Sequence, residues 1–335
     1  ITENDYLSIG GWTFLTAGGD INLGTSNTFV GRVKFTGDNV TIRNTVNQLA
    51  LGTSKASGDL NLSAPSLLSV GSLTAVGAAT LALEGPMVAG ALQAGALAIT
   101  GATTVNQTAA WTVAGPTSIT GTGAVVVDNP ANDFSDTYIQ GTVIVLADSN
   151  NLVLTGARAT NNINLFVGGT LSQKGAIVTG GALNANAGGD LLLDLPANRI
   201  TGPVTLSGGN IIVADSTGLV LGRVAANGNL LVDTSSGNGN ITQTGPLLAL
   251  SGTATFNAGT GDIVLGNTQN DLGDKGALAF TAANVSYTDL DEVLLGTSLV
   301  LGNFLMNAGG NITQSGAITA AASGFQTTGD ILLTG

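Results

Sequence analysis

Two residue types central to enzyme chemistry are missing: the chain has no cysteine and no histidine. Without cysteine there is no thiol nucleophile and no thiolate metal site. Without histidine the commonest general base is gone. Disulfide staples are excluded too, which a long stacked core does not need. Their absence also suits a bacterial chain that must cross an outer membrane unfolded. Charge is scarce: only 9% of residues are Asp, Glu, Lys or Arg, against about 25% in ordinary domains. Surface helix formers are therefore too few for a helical protein. Nine Lys and Arg against 21 Asp and Glu leave a net charge of −12 with no basic stripe. Nucleic acid and an anionic membrane surface are not expected as partners on that ground. No apolar run reaches the ~18 residues of a membrane helix, so no membrane insertion is expected. The chain opens on Ile1, with no signal peptide in view, and reads as a processed or excised segment.

What is present points one way. Glycine supplies 50 of 335 residues, and 43% are hydrophobic while only 4% are aromatic. Small aliphatic residues suit a thin interior, and Gly, Asn and Thr suit turns. The expected class is all-β.

A short motif, Gly-Asp/Asn-Ile/Leu-x-apolar, recurs along the chain. It stands at Gly19 to Leu23, Gly58 to Leu62, Gly189 to Leu193, Gly209 to Val213, Gly228 to Val232, Gly261 to Leu265 and Gly329 to Leu333. A shorter copy is Gly310-Asn311-Ile312. Gly and Asx accept positive φ, so the motif reads as a tight turn entering a strand. Apolar residues two apart then share one strand face. Copies lie about 20 residues apart, the length of one solenoid coil.

A longer unit of roughly 70 residues overlies the coils. Asn132-Asp133-Phe134, Asn198-Arg199-Ile200 and Asn270-Asp271-Leu272 are one element of it. Ser172 to Gly175, Thr242 to Gly245 and Thr313 to Gly316, each with Gln second, are another. A third is Asp215 to Gly222, echoed at Asp148 to Leu154. Asn39 to Ile42 matches Asn284 to Tyr287, and Ile1 to Gly24 shares a phase with Ile312 to Gly335. Residues from about 63 to 120 are the most degenerate, and 121–335 carry the clearest long repeats. The expected organisation is one continuous β-solenoid over 1–335.

The order Asn-Asp-Phe/Leu, Asp…Leu-x-Leu-Gly, Gly-Asn-Ile-Thr-Gln-x-Gly and Gly-Asp-Ile-x-Leu resembles the repeats of filamentous-haemagglutinin-type exoproteins. Those are Gram-negative surface proteins exported by two-partner secretion. The resemblance covers most of the chain, and no N-terminal secretion domain of that family is recognisable. It implies a right-handed, single-stranded parallel β-helix, display outside the cell, and adhesion.

Carboxylates are the remaining enzymatic option, because parallel β-helices include polysaccharide lyases and hydrolases. The richest groups are Asp289, Asp291 and Glu292; Asp271 and Asp274; and Asp128, Asp133 and Asp136. Most fall at repeat turns, where Asp satisfies local backbone donors. The nonapeptide calcium-roll pattern is absent. The chain therefore reads as not an enzyme, with no catalytic, cofactor-binding or metal site and no cofactor. Phe14, Phe134, Phe256, Phe280, Phe304 and Phe325 sit at repeat positions and are expected inside the stack. Trp12, Trp111, Tyr6, Tyr138 and Tyr287 are the better candidates for surface contact. Leu192, Val264 and Leu332 should turn outward although apolar, marking a coil corner, a buried second face or a lateral contact surface for another chain.

The expected function is a rod segment of a secreted adhesin or cell-surface filament, extracellular or on the bacterial surface. It would mediate attachment or matrix and biofilm structure. Its partners would be itself, end to end or laterally, and cell-surface or matrix glycans and proteins. A filament subunit stacking end to end is the second reading, and a carbohydrate-active β-helix enzyme a lesser one.

Overall fold

The computed structural model describes residues 1–249, 251–273 and 276–333. Asp274, one of the candidate carboxylates, lies outside them, as does Gly335, which closes the shared phase of the two ends. The chain divides into two compact units, Ile1–Thr160 and Asn161–Gly335. Each is a stack of short strands paired in parallel, and no helix occurs among the described residues. No helix there is long and apolar enough to cross a membrane.

In the first unit, Ile21–Phe29, Val40–Asn44, Leu60–Ala64, Leu73–Leu83 and Leu92–Ala102 pair in succession. In the second, Leu171–Gln173, Leu191–Leu193, Ile211–Ala214, Leu230–Asp233, Ala254–Asn257 and Leu278–Ala282 do the same. The step between partners runs from 17 residues, Val204 to Leu221, to 24, Leu230 to Ala254. The stretch 63–120, degenerate in sequence, forms coils as regular as the rest: Leu73 pairs with Leu92, and Leu92 with Trp111.

Strand alternation builds the interior. Leu171, Leu191, Ile211, Leu230, Ala254 and Leu278 stand in register, one per coil, and all are buried. Each larger aliphatic contributes about 1.5–3 kcal/mol through that burial. Between them the outward residues are half-buried or exposed. Leu192 is half-buried, while Val264 and Leu332 are exposed.

The recurring Gly-Asx pair works differently from the turn expected of it. None of the motif glycines has a positive φ; that conformation falls at Asn47, Asn238, Gly101, Gly156, Gly218, Gly259 and Gly273. The Asx side chain instead reaches the next coil. Oδ1 of Asp20 accepts from Asn39 N at 3.1 Å, Oδ1 of Asn39 from Asp59 N at 3.0 Å, and Oδ1 of Asp59 from Ala78 N at 2.8 Å. The second unit repeats this through Asp190, Asn210 and Asn229, at 2.8, 3.0 and 2.9 Å. Glycine is needed for space. A Cβ at Gly58 would lie 2.4 Å from Oδ1 of Asn39, and one at Gly209 would lie 2.6 Å from Oδ1 of Asp190. At these positions the glycine is a notch for the previous coil's side chain.

Candidate functional site

The carboxylates that sequence marked as the enzymatic option do not form one group, although Asp289, Asp291 and Asp271 lie near one another around Tyr287. Asp128, Asp133 and Glu292 are exposed, and Asp136 and Asp291 are half-buried. Asp133 accepts a hydrogen bond from Asn150 Nδ2 at 3.0 Å. No group of three or more acidic residues is placed to hold a metal ion among the described residues. Asp289 departs from the solvated turn expected of it, because it is 96% buried by a relative exposure of 4%.

Asp289 belongs to a buried polar column that the repeated Gln, Asn and Asp phrases encode. Asn132, Asn198 and Asn270 have no exposed surface. Each faces a glutamine of the preceding coil in a reciprocal amide pair. Gln173 Nε2 donates to Asn198 Oδ1 at 2.8 Å, and Asn198 Nδ2 donates to Gln173 Oε1 at 3.1 Å. The same Nδ2 donates to Leu193 O and Ala214 O, at 3.2 and 3.0 Å, and Oδ1 accepts from Ile177 N at 2.8 Å. Gln107 with Asn132, and Gln243 with Asn270, repeat the arrangement bond for bond. One coil further, a carboxylate takes the backbone N–H two residues past each asparagine. Asp148 accepts from Phe134 N at 2.7 Å, Asp215 from Ile200 N at 2.8 Å, and Asp289 from Leu272 N at 3.1 Å. These side chains satisfy much of one another's bonding capacity, so the column holds coils in register.

At the start of the chain Glu3 stands where the other copies have glutamine. Its Oε1 accepts from Asn27 Nδ2 at 3.0 Å and Thr25 N at 2.6 Å. Its Oε2 is buried without a partner. A glutamine amide would supply the missing donor toward Asn27 Oδ1. Glu3→Gln should therefore stabilise the first unit by about 1 kcal/mol. An unchanged or lower denaturation midpoint would show that the amide pair is not equivalent here.

Burial raises the carboxyl of Asp148 above its ordinary value, against the lowering effect of the Phe134 and Asn150 N–H groups. It pushes Asp289 from 3.8 up to about 7, opposed by hydrogen bonds from the Tyr287 hydroxyl and from the N–H groups of Asp291 and Leu272. Burial, then the nearby Asp289, also push the Tyr287 hydroxyl well above its usual 10.0. The folded chain thus keeps a proton on Asp289 that the unfolded chain releases. That contribution to stability is full below pH 3.8 and is lost as pH rises through about 7. It amounts to roughly 2–4 kcal/mol. Asp289→Asn should flatten this part of the profile, so the wild type should lose stability relative to the variant between pH 4 and pH 8. Parallel profiles from urea titrations at each pH would sink the assignment.

The aromatic residues sort differently from expectation. Trp111 and Tyr287 are buried, not surface residues. Trp111 Nε1 donates to Gly90 O at 2.9 Å, in a stretch whose inward positions include Ala75, Ala79, Ala89 and Ala94. Phe134, Phe256, Phe280 and Phe304 are interior as expected, Phe325 is half-buried and Tyr138 is half-buried. Phe14 is the exception: it is 66% exposed, beside Trp12 at 61%. Tyr6 is exposed as well.

A family model described as "Repeats of unknown function (DUF5649)" matches residues 1–36, 37–88, 84–139, 140–207, 208–279 and 282–335. Its matches beginning at 140, 208 and 282 are 68 and 74 residues apart. The buried asparagines 132, 198 and 270 keep nearly that spacing, 66 and 72 residues. No curated protein and no solved structure matches the chain.

Proposed function

This chain belongs to the family described as "Repeats of unknown function (DUF5649)", and we propose that it serves as a structural, non-enzymatic rod segment of an extracellular surface protein. The observation that carries this reading is the polar column. It spends buried Gln, Asn and Asp side chains wholly on fixing one coil over the next. A chain organised this way resists bending and slippage, as a spacer or filament must. The low charge and the absence of cysteine agree with a secreted bacterial protein. The resemblance to filamentous-haemagglutinin-type repeats adds two-partner export and adhesion to the reading. The partners we propose are surface or matrix glycans and proteins, and further coils of the same kind.

Electron microscopy of the purified chain tests the rod. Slender particles of uniform width are the expected result, and collapsed or globular particles would overturn it. A second reading is a filament subunit whose copies stack end to end. Gln314 makes the same bond to a residue two ahead, Gly316 O at 3.1 Å, as the other column glutamines make. It lines an open cleft of about 660 Å³ with Ile318, Phe325 and Leu333. Particles of fixed length at rising concentration would count against stacking between copies.

A further inference from the structure

One outward face of the first unit differs chemically from the rest of the chain. Trp12 and Phe14 point outward from the first coils, their rings 5.9 Å apart and inclined by 22°. Phe14 stands in register with Lys34, and Arg32 lies over Trp12 with its Cζ 4.9 Å from the ring centroid. Lys55 is on the next strand, paired with Thr36. Arg32, Lys34 and Lys55 are three of only nine cations in a chain of net charge −12. None of them makes an ion pair among the described residues. The strand segments forming this face, 12–16, 32–36, 52–56 and 72–76, contain no Asp or Glu. A cationic, aromatic face without carboxylates is the opposite of what the overall composition would place there.

We propose that this face binds a carboxylated polysaccharide, a polymer of uronic acid units. Two features select that class. Exposed indole and phenyl rings present flat apolar surface, onto which the C–H faces of pyranose rings pack. Cations beside the rings then meet the carboxylates, Arg32 in a fork geometry and Lys34 and Lys55 as point charges. Three cations complement one carboxylate per sugar. A polysulfated chain would carry more charge than they can neutralise, against a protein already strongly negative. The site lies on strands whose inward residues Val33, Phe35 and Ala56 are fully buried, so it is held rigid before any ligand arrives.

The proposal deepens the extracellular reading, since it names the matrix chemistry that such a segment would meet. It is tested without that reading. Trp111 is fully buried, so a ligand-induced change in tryptophan fluorescence reports on Trp12. The intact chain is titrated with an oligogalacturonate, with a neutral galactose oligomer of equal length, with a heparin oligomer and with phosphatidylserine vesicles. Oligogalacturonate should change the fluorescence, and salt should weaken it. Phe14→Ala should weaken binding by about tenfold or more, and Arg32→Gln with Lys34→Gln by at least as much. Trp12→Ala, followed by calorimetry because the probe is lost, should do likewise. Arg199→Gln, in the other unit, should bind as the wild type does. Circular dichroism confirms that each variant is folded. No response to oligogalacturonate, an unaffected Phe14→Ala, equal binding of the neutral oligomer, or tighter binding of heparin or vesicles would each overturn the proposal. A fluorescence change on concentrating the protein alone would assign the face to contacts between copies and overturn it too. None of these failures alters the particle shape that tests the rod.

Discussion

Asn198→Ala should cost the second unit about 4 kcal/mol or more, enough to make it fail to fold at moderate temperature. The residue is fully buried and makes bonds to Gln173, Leu193, Ala214 and Ile177. Truncation strands those partners in a dry interior, where each unpaired group costs about 1–3 kcal/mol. The loss of the side chain also leaves a void that the stacked coils cannot close. Asn198→Asp is the sharper comparison. It keeps the acceptor for Ile177 N–H but removes the donors to Leu193 O and Ala214 O and buries a charge. It should be nearly as damaging. Urea unfolding of both variants checks this, with hydrogen exchange at Ile177 reporting on the local bond. A loss below about 1 kcal/mol would mean that water replaces the amide and that the column is not a register device.

Phe280→Ala should lower stability by about 3–5 kcal/mol. Phe280 is the hub of the interior aromatic cluster. Its ring centroid lies 5.8 Å from that of Phe256, 5.5 Å from that of Tyr287 and 5.6 Å from that of Phe304. Removing it leaves space among rings held by parallel pairing in two adjacent coils, so backbone collapse cannot fill it. Phe280→Leu should cost roughly half as much, because it restores most of the volume. Thermal and urea midpoints decide the matter, and near-ultraviolet circular dichroism should lose the Tyr287 signal in the alanine variant. Equal losses for alanine and leucine would show that the ring contacts, and not the filled volume, dominate.

The coils were legible in the sequence because their signal is local. Gly209-Asn210-Ile211-Ile212-Val213 carries in five residues both the coil-to-coil link and the inward pair. The cause was less legible. Asn210 and Gly228 look like turn formers, and only the packing shows that Gly228 leaves room for the Asn210 side chain, 2.6 Å from where a Cβ would stand. The Gln and Asn phrases were visible as repeats, but their pairing joins residues 25 to 27 apart, such as Gln173 with Asn198 and Gln243 with Asn270. That bond follows from coil stacking and not from spacing in one strand. Tyr287 was placed on the surface by its residue type. Its alignment with Ile42 held the opposite answer, since Ile42 and Tyr287 occupy the same inward place beside Val40 and Val285. Trp111 could be read the same way, two residues before the inward Val113. Phe14 shows the reverse case: Thr13 takes the buried side of its strand, which turns the phenyl ring outward.

The direction of the links between coils has a mechanical consequence. In either unit, the backbone hydrogen bonds and the Asp and Asn side-chain bonds run from coil to coil. Tension applied to the two ends of a unit therefore peels a terminal coil rather than shearing many strands together. Each peeled coil frees 17 to 24 residues, on the order of 60–80 Å of extended chain. The unit should lengthen under load in many small releases, each at modest force. Taller force peaks should recur about every 70 residues, where a glutamine–asparagine pair must open before the next coil can leave. Such a segment would dissipate a pull stepwise and keep its inner coils folded while the outer ones give way.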